Sequence, residues 1–282
     1  MSATYRLGLY EKSMPMSLTL PDKLCVTSEA GFNFMELSID ESDEKLLRLN
    51  WVPTERRELR EASADAGTTV GSICLSAHRK YPIGSVDASV RACGLDIMAR
   101  AIDLAADLGV RLIQLAGYDV YYELSSDKTR ALFAENLRRS VEWAASAGVT
   151  LAFETMETPF MDTVEKAMHF VRLINSPYLQ VYPDLGNLTN AALLYGHDVA
   201  SDLESGRGYI AALHLKEARP GIYREIPFGA GYVNFVSGIG TAWAQGVRRF
   251  VCEFWAVEDW RAQIDRAHAF IRAQFEKSGV TG

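Results

Sequence analysis

What most restricts this chain is a repeated alternation of two kinds of segment. Short β-rich apolar runs occur at Tyr5–Tyr10, Phe34–Ile39, Val70–Leu75, Leu112–Leu115, Thr150–Phe153, Leu179–Tyr182, Ile210–Leu215 and Phe250–Glu253. Between them lie stretches with helical periodicity, such as Ala88–Leu108 and Arg130–Ala147. The Ala-rich helical stretches end in Gly109 and Gly148, which suit left-handed helix C-caps, and a strand candidate follows each. Strand–helix alternation implies a parallel sheet. Eight such units in 282 residues favour a single (β/α)8 barrel of the TIM type over a doubly wound sheet, though the pattern alone leaves both open. No Pro/Ser-rich linker divides the chain, so one domain over residues 1–282 is expected.

Composition narrows the function classes. The chain is 48% hydrophobic and 23% charged, an ordinary soluble balance. No apolar run reaches the ~20 residues of a transmembrane helix. Met1–Tyr10 lacks the basic-then-apolar order of a signal peptide, so a cytoplasmic protein with no membrane partner is expected. A net charge of −7 without a basic stripe argues against nucleic acid as a partner. The four cysteines, Cys25, Cys74, Cys93 and Cys252, form no CxxC pair, so neither a zinc knuckle nor a redox motif is supported. Cys74 and Cys252 lie in the apolar runs SICL and FVCEF and read as small buried hydrophobes.

A barrel carries its chemistry at the C-terminal ends of its strands. Polar residues interrupt apolar runs there at four places. Glu154 follows Leu151-Ala152-Phe153, Asp184 follows Leu179–Pro183, His214 lies within Ile210–Leu215, and Glu253 follows Phe250-Val251-Cys252. These are the fifth to eighth candidate strands, which are consecutive in a closed barrel. Each residue alone has an ordinary reading: carboxylates at strand ends often cap helices, and a histidine in an apolar strand is often a satisfied core residue. Together they form a mixed oxygen/nitrogen set suited to Mn²⁺, Zn²⁺, Co²⁺ or Mg²⁺ rather than to a soft thiolate metal. Buried charges also need partners, and a metal is one of the few that serves three carboxylates at once.

The strings LGLYEKSMP, GFNFMELSIDESDEKLLRLNW, ICLSAHRKYPIGS, IQLAGYDVYYE, YPDLGNL, HLKEARPG and PFGAG resemble the L-ribulose-5-phosphate 3-epimerases, also called L-xylulose-5-phosphate 3-epimerases, of L-ascorbate use. The resemblance runs from about Leu7 to about Ala273. The wider group is the xylose-isomerase-like barrels, which also holds ketose 3-epimerases, hydroxypyruvate isomerases, inosose dehydratases and endonuclease IV. The resemblance implies one divalent metal, zinc or manganese before cobalt or magnesium, on Glu154, Asp184, His214 and Glu253. It implies no organic cofactor, and no GxGxxG turn follows the first strand candidate. Asn187 stands where epimerases of free sugars carry a histidine, as in the phosphate-using relatives. Ala230 in PFGAG departs from the glutamate of the relatives.

Epimerising a ketose at C3 means removing the C3 proton and returning one to the opposite face. A metal chelated by the C2 and C3 oxygens would steady the cis-enediolate as charge develops. Glu154 and Glu253, one from each flank of the ligand arc, are the expected acid/base pair. Their reference pKa is only ~4.3, so proximity must do what basicity does not. The expected partner is a small sugar phosphate, met by Lys12, His78, Arg79, Lys216 and Arg219 near the mouth. Asn187 and Trp255 join the substrate contacts, with Trp51 as a second apolar wall. Tyr118, Tyr121 and Tyr122 are expected to cover the site or a subunit contact, and a homodimer is expected by analogy.

Three rivals are weighed. Aldose–ketose isomerisation, dehydration of a cyclic polyol, or another ketose 3-epimerisation on the same metal site uses a similar enediolate, so the ligands do not separate them. A DNA repair enzyme resembling endonuclease IV needs more histidines than the five present, and His169, His197 and His268 are expected in helices facing away from the mouth. A non-catalytic sugar-binding barrel would not need both Glu154 and Glu253.

Overall fold

The computed structural model of the protein describes residues 4–280. Eight strands run in chain order: β1 Arg6–Tyr10, β2 Phe34–Ile39, β3 Thr69–Leu75, β4 Leu112–Ala116, β5 Thr150–Glu154, β6 Leu179–Val181, β7 Leu213–Leu215 and β8 Arg249–Cys252. The helices are α1 Leu20–Glu29, α2 Asp43–Leu47, α3 Pro53–Asp65, α4 Ala88–Leu108, α5 Asp127–Ala147, α6 Val164–Ile174, α7 Leu185–Tyr195, α8 Val199–Ser205, α9 Phe235–Ala244 and α10 Trp260–Lys277.

Every strand pair is parallel, in the order β6-β5-β4-β3-β2-β1-β8-β7. The two ends of that order meet through single parallel bridges, Val181–Ile210 and Asp184–His214. First and last strands therefore lie side by side in a closed (β/α)8 TIM barrel, and a doubly wound sheet is excluded. The seventh run is shorter than its apolar stretch: only Leu213–Leu215 enters the ladder, and Ile210 makes one bridge. The cause is Pro183 opposite. It has no N–H to donate and offers only its carbonyl, which accepts His214 N–H at 2.8 Å.

Alternation along the strands sorts the residues. In β2, Met35, Leu37 and Ile39 join the large core between barrel and helices, whereas Phe34 belongs to a second buried cluster with Tyr10, Cys74, Leu112, Ala152, Tyr182, Ala212 and Val251. That second cluster fills the barrel interior. The inward series of β2 is thus Phe34, Glu36, Ser38, apolar below and polar above, as in a barrel that places its chemistry at one end.

The helix ends follow local capping, with Gly109 and Gly148 as the C-caps legible in the sequence. Asp87 caps α4 and Ser126 caps α5, which end at Gly109 and Gly148 with φ of 74° and 66°. The α5 helix begins at Asp127, ahead of its periodic stretch, because the Ser126 hydroxyl accepts from Thr129 N–H. After β1, a 3₁₀ turn (Glu11–Ser13) is held by a fully buried Glu11 carboxylate. It pairs with Lys23, Lys45 and Arg48 and accepts the Ser38 N–H at 2.9 Å. Burial alone would raise this carboxyl, but the Arg48, Lys45 and Lys23 cations hold it well below the usual range. The anchor fixes the turn that carries Lys12. Cys74 and Cys252 are buried, as expected of small core residues, and the cysteines are free. Among the described residues no helix is long and apolar enough to cross a membrane.

Candidate metal centre

Glu154 closes β5, Asp184 opens α7, His214 is the middle residue of β7, and Glu253 follows β8. Strand closure brings the four together at one end of the barrel. Each offers one ligand atom, and these atoms all lie within 4.8 Å of one another. His214 Nδ1 faces Glu154 Oε1 at 3.5 Å, Glu253 Oε2 at 3.5 Å and Asp184 Oδ2 at 3.9 Å. Ligands bonded at ~2.1 Å to one tetrahedral ion are spaced ~3.4 Å apart, so the three distances from His214 Nδ1 are only slightly wider than those of a closed shell.

Asp184 serves two masters. Its Oδ1 accepts from Asn187 N–H at 2.7 Å and caps α7, which leaves Oδ2 for the cluster. The capping role and the ligand role are therefore compatible. Its backbone is held by Thr155, whose hydroxyl accepts Asp184 N–H at 3.0 Å, while the Thr155 carbonyl accepts from the Asn187 amide at 2.6 Å.

The charges are unbalanced. Glu36, Glu154, Asp184 and Glu253 are at most 6% exposed, and Lys216 and His214 are the side chains seen to pair with them among the described residues. Lys216 Nζ lies 3.3 Å from Asp184 Oδ2 and 3.2 Å from Glu253 Oε2, close enough to pair in charge, yet both oxygens lack an aligned hydrogen bond. Orphaned buried acceptors of this kind are costly unless a cation serves them. A divalent ion fits the donor set.

Without an ion, the groups respond as buried charges must. Burial, then the neighbouring Glu253, raises the Glu154 carboxyl. Burial also pushes Asp184 up to about 7, against the pull of Lys216. Burial disfavours the His214 imidazolium, but Glu36, Tyr182 and Glu253 raise its pKa well above the ordinary value. Burial would raise Glu253 too, and there Lys216 and His214 win and hold it far below the usual carboxylate range. Two carboxylates of one type are thus driven in opposite directions.

Of the remaining residues singled out in the sequence, Lys12, Arg79, Asn187, Lys216 and Trp255 line the cavity above the cluster, together with Glu154 and Glu253. Lys12 pairs with Asp40, and the Arg79 guanidinium stacks over Tyr118 and Tyr121. His78 lies elsewhere: it is buried and its Nε2–H donates to the Gly94 carbonyl at 3.0 Å, inside the packing of α4. Arg219 also lies outside the cavity lining, and donates to the Ala230 carbonyl at 2.8 and 2.6 Å. The Ala230 side chain is exposed, and its loop is tied down by the Glu217 carboxylate, which accepts Gly229 and Val233 N–H. Trp51 packs against the outer core. Tyr118 and Tyr121 donate to Glu157, and Tyr122 donates to Glu41. His169 and His268 are helical, whereas His197 sits in the connection after α7 rather than in a helix, because Gly196 ends α7 with φ of 69°.

Sequence reasoning passed over Glu36, Glu157, Tyr223 and Arg224. Tyr223 and Arg224 reach the cavity from the long connection after β7, and Arg224 lies 3.4 Å from Glu157 and over the Trp255 ring. Loop residues carry no periodic signal. Glu36 did leave one, a lone acid in the strand FMELSI.

Comparison with known proteins agrees with this architecture. The family model of the xylose isomerase-like TIM barrel matches residues 26–274. The chain is 42% identical over 277 residues to the L-ribulose-5-phosphate 3-epimerase UlaE of Escherichia coli K12, covering 97% of this chain and 96% of that one. It is 41% identical over the same share to UlaE of Salmonella paratyphi A. Among solved structures, an L-ribulose 3-epimerase superposes with a TM-score of 0.78 at 22% identity, over 99% of this chain and 96% of that one. A D-tagatose 3-epimerase-like protein reaches 0.81 at 15% identity, over 97% and 98%. Those two structures share the fold, whereas the 42% match spans nearly every residue that builds the barrel and its mouth. The chain belongs to the L-ribulose-5-phosphate 3-epimerase family of xylose isomerase-like TIM barrels, and is an enzyme of the isomerase class.

Proposed function

We propose that this protein is a metal-dependent 3-epimerase of a ketopentose 5-phosphate, interconverting L-xylulose 5-phosphate and L-ribulose 5-phosphate, with Glu154 and Glu253 as the two proton carriers. The observation that carries the reading is that those two buried carboxylates converge on His214 Nδ1, each at 3.5 Å. Relatives named for this epimerisation at 42% identity support it.

Glu154, Asp184, His214 and Glu253 would hold the ion, zinc or manganese first. When bound, a divalent ion supplies Lewis-acid stabilisation to the C2 and C3 oxygens of the sugar. Glu154 comes from β5 and Glu253 from β8, the outer strands of the four that form the arc, so their free oxygens approach C3 from opposite faces. One takes the C3 proton and the other returns a proton to the far side, which inverts the centre. Lys216 stays with Asp184 and Glu253, tempering their repulsion. Lys12 and Arg79, on the β1 and β3 side of the mouth, are the cations for the phosphate, with Arg224 as a third. The same reading makes the chain a single barrel domain acting in carbohydrate metabolism in the cytoplasm, as a homodimer.

Proton NMR of L-xylulose 5-phosphate turned over in deuterated water tests the chemistry. Deuterium is expected at C3; label at C1 or C2 instead would mean aldose–ketose isomerisation. Glu154→Gln and Glu253→Gln are each expected to lower kcat by about 10²- to 10⁴-fold. Full turnover in both variants would refute the two-carboxylate reading.

A further inference from the structure

One buried carboxylate beside the site has no part in the reading above. Glu36 lies in β2, across the barrel from β7, and is fully buried. Its Oε1 accepts the Ser72 hydroxyl at 2.7 Å and the Tyr182 hydroxyl at 2.9 Å. Its Oε2 lies 2.6 Å from His214 Nε2. Three strands and one aromatic ring thus hold a single carboxylate against the far side of one imidazole.

The consequence lies in what the imidazole must do with its two nitrogens. A carboxylate held by two hydroxyl donors keeps its remaining oxygen as an acceptor, so Nε2 carries the proton. A divalent ion held among Glu154, Asp184 and Glu253 would take the place of the proton on Nδ1, the nitrogen that faces them. Four electron-rich atoms pointing at one another are a ligand set, and the fourth belongs to it only while Nε2 is the protonated nitrogen. We infer that Glu36 is a positioning residue of the metal centre: it fixes the His214 tautomer and ring plane so that Nδ1 is the ligand, and strengthens that nitrogen as a donor. Carboxylate–histidine–metal relays act in this way elsewhere, and losing the outer carboxylate typically costs about 10- to 100-fold in metal affinity.

This inference rests on the metal reading, and the test separates the two. Zn²⁺ affinity is measured by competition with a chromophoric chelator on metal-stripped wild type, Glu36→Gln and Glu36→Leu. Glutamine keeps the shape: its oxygen accepts from Nε2 and its amide donates to the Ser72 and Tyr182 oxygens, so the fold and the ring plane persist while the charge is gone. About 10-fold weaker binding is expected for Glu36→Gln, and about 100-fold for Glu36→Leu, which removes the hold on the ring. Nitrogen-15 NMR of the zinc-loaded wild type is expected to find the His214 proton on Nε2. Wild type that takes up no Zn²⁺ overturns the metal reading and this inference with it. A tight wild-type site with Glu36→Gln within twofold, or a proton found on Nδ1, overturns the role of Glu36 alone. Should Glu36→Leu fail to fold, the glutamine variant and the NMR result decide.

Discussion

At the scale of single residues, the barrel shows how little a side-chain type says without its surroundings. Glu11, Glu36, Glu154, Glu217 and Glu253 are all buried, yet they anchor a turn, hold an imidazole, face the candidate metal site, tie a loop and face that candidate site again. His78 is the sharpest case. Its sequence neighbours Ala77 and Arg79 sit after β3, where barrel chemistry is sought, but the ring turns down to the Gly94 carbonyl. Burial disfavours its cation and lowers its pKa to about 4, against a small raising effect from that hydrogen bond. Below pH 6.5 the unfolded chain binds a proton that the folded protein refuses, so stability is lost as pH falls from 6.5 towards 4. The loss attributable to this group is roughly 3 kcal/mol. Denaturant midpoints of wild type and His78→Gln, which can still reach the carbonyl, are expected to converge across that window as the wild type weakens. A constant gap between them from pH 7 to pH 4 would show that the histidine does not titrate in folding.

At the scale of elements, strand alternation and glycine placement together build the barrel floor. Phe34 of β2 points inward, and its ring fills the space over Gly8 of β1 and Gly71 of β3. A Cβ at Gly8 would stand 2.4 Å from Phe34 Cε2, and one at Gly71 would stand 2.3 Å from Phe34 Cδ2. Both glycines are therefore required by the neighbouring ring. The Arg249 guanidinium, from β8, lies 4.9 Å from the centre of that ring. Gly8→Ala and Gly71→Ala are each expected to destabilise the protein by about 1–3 kcal/mol through overpacking. Adding Phe34→Leu is expected to restore part of the loss, because the two positions share one space. Thermal denaturation of the single and double variants checks this; strictly additive losses would mean that the ring is not the obstacle.

At the scale of the whole molecule, the candidate metal centre draws on the ends of four consecutive strands, so an ion held there would tie β5, β6, β7 and β8 to one another. An ion that binds only the folded chain adds about 2.7 kcal/mol of stability at 100 times its Kd. Chelation is expected to lower Tm by several degrees, and restored Zn²⁺ or Mn²⁺ to recover it. A Tm indifferent to chelator would sink the metal centre. The sequence by itself determined the eight-unit alternation, the cap residues at Gly109 and Gly148, and the four ligand-type residues at strand ends. Those are local: a strand period, a left-handed glycine or an acid closing an apolar run is written in neighbouring residues. Tertiary structure alone decided that Lys216 lies among the carboxylates, that His78 and Arg219 turn away, that Arg224 reaches the mouth, and that Glu36 stands behind His214. Each of these depends on which side chain meets which across a closed ring. Glu36 and His214 are 178 positions apart, and only barrel closure brings them to 2.6 Å.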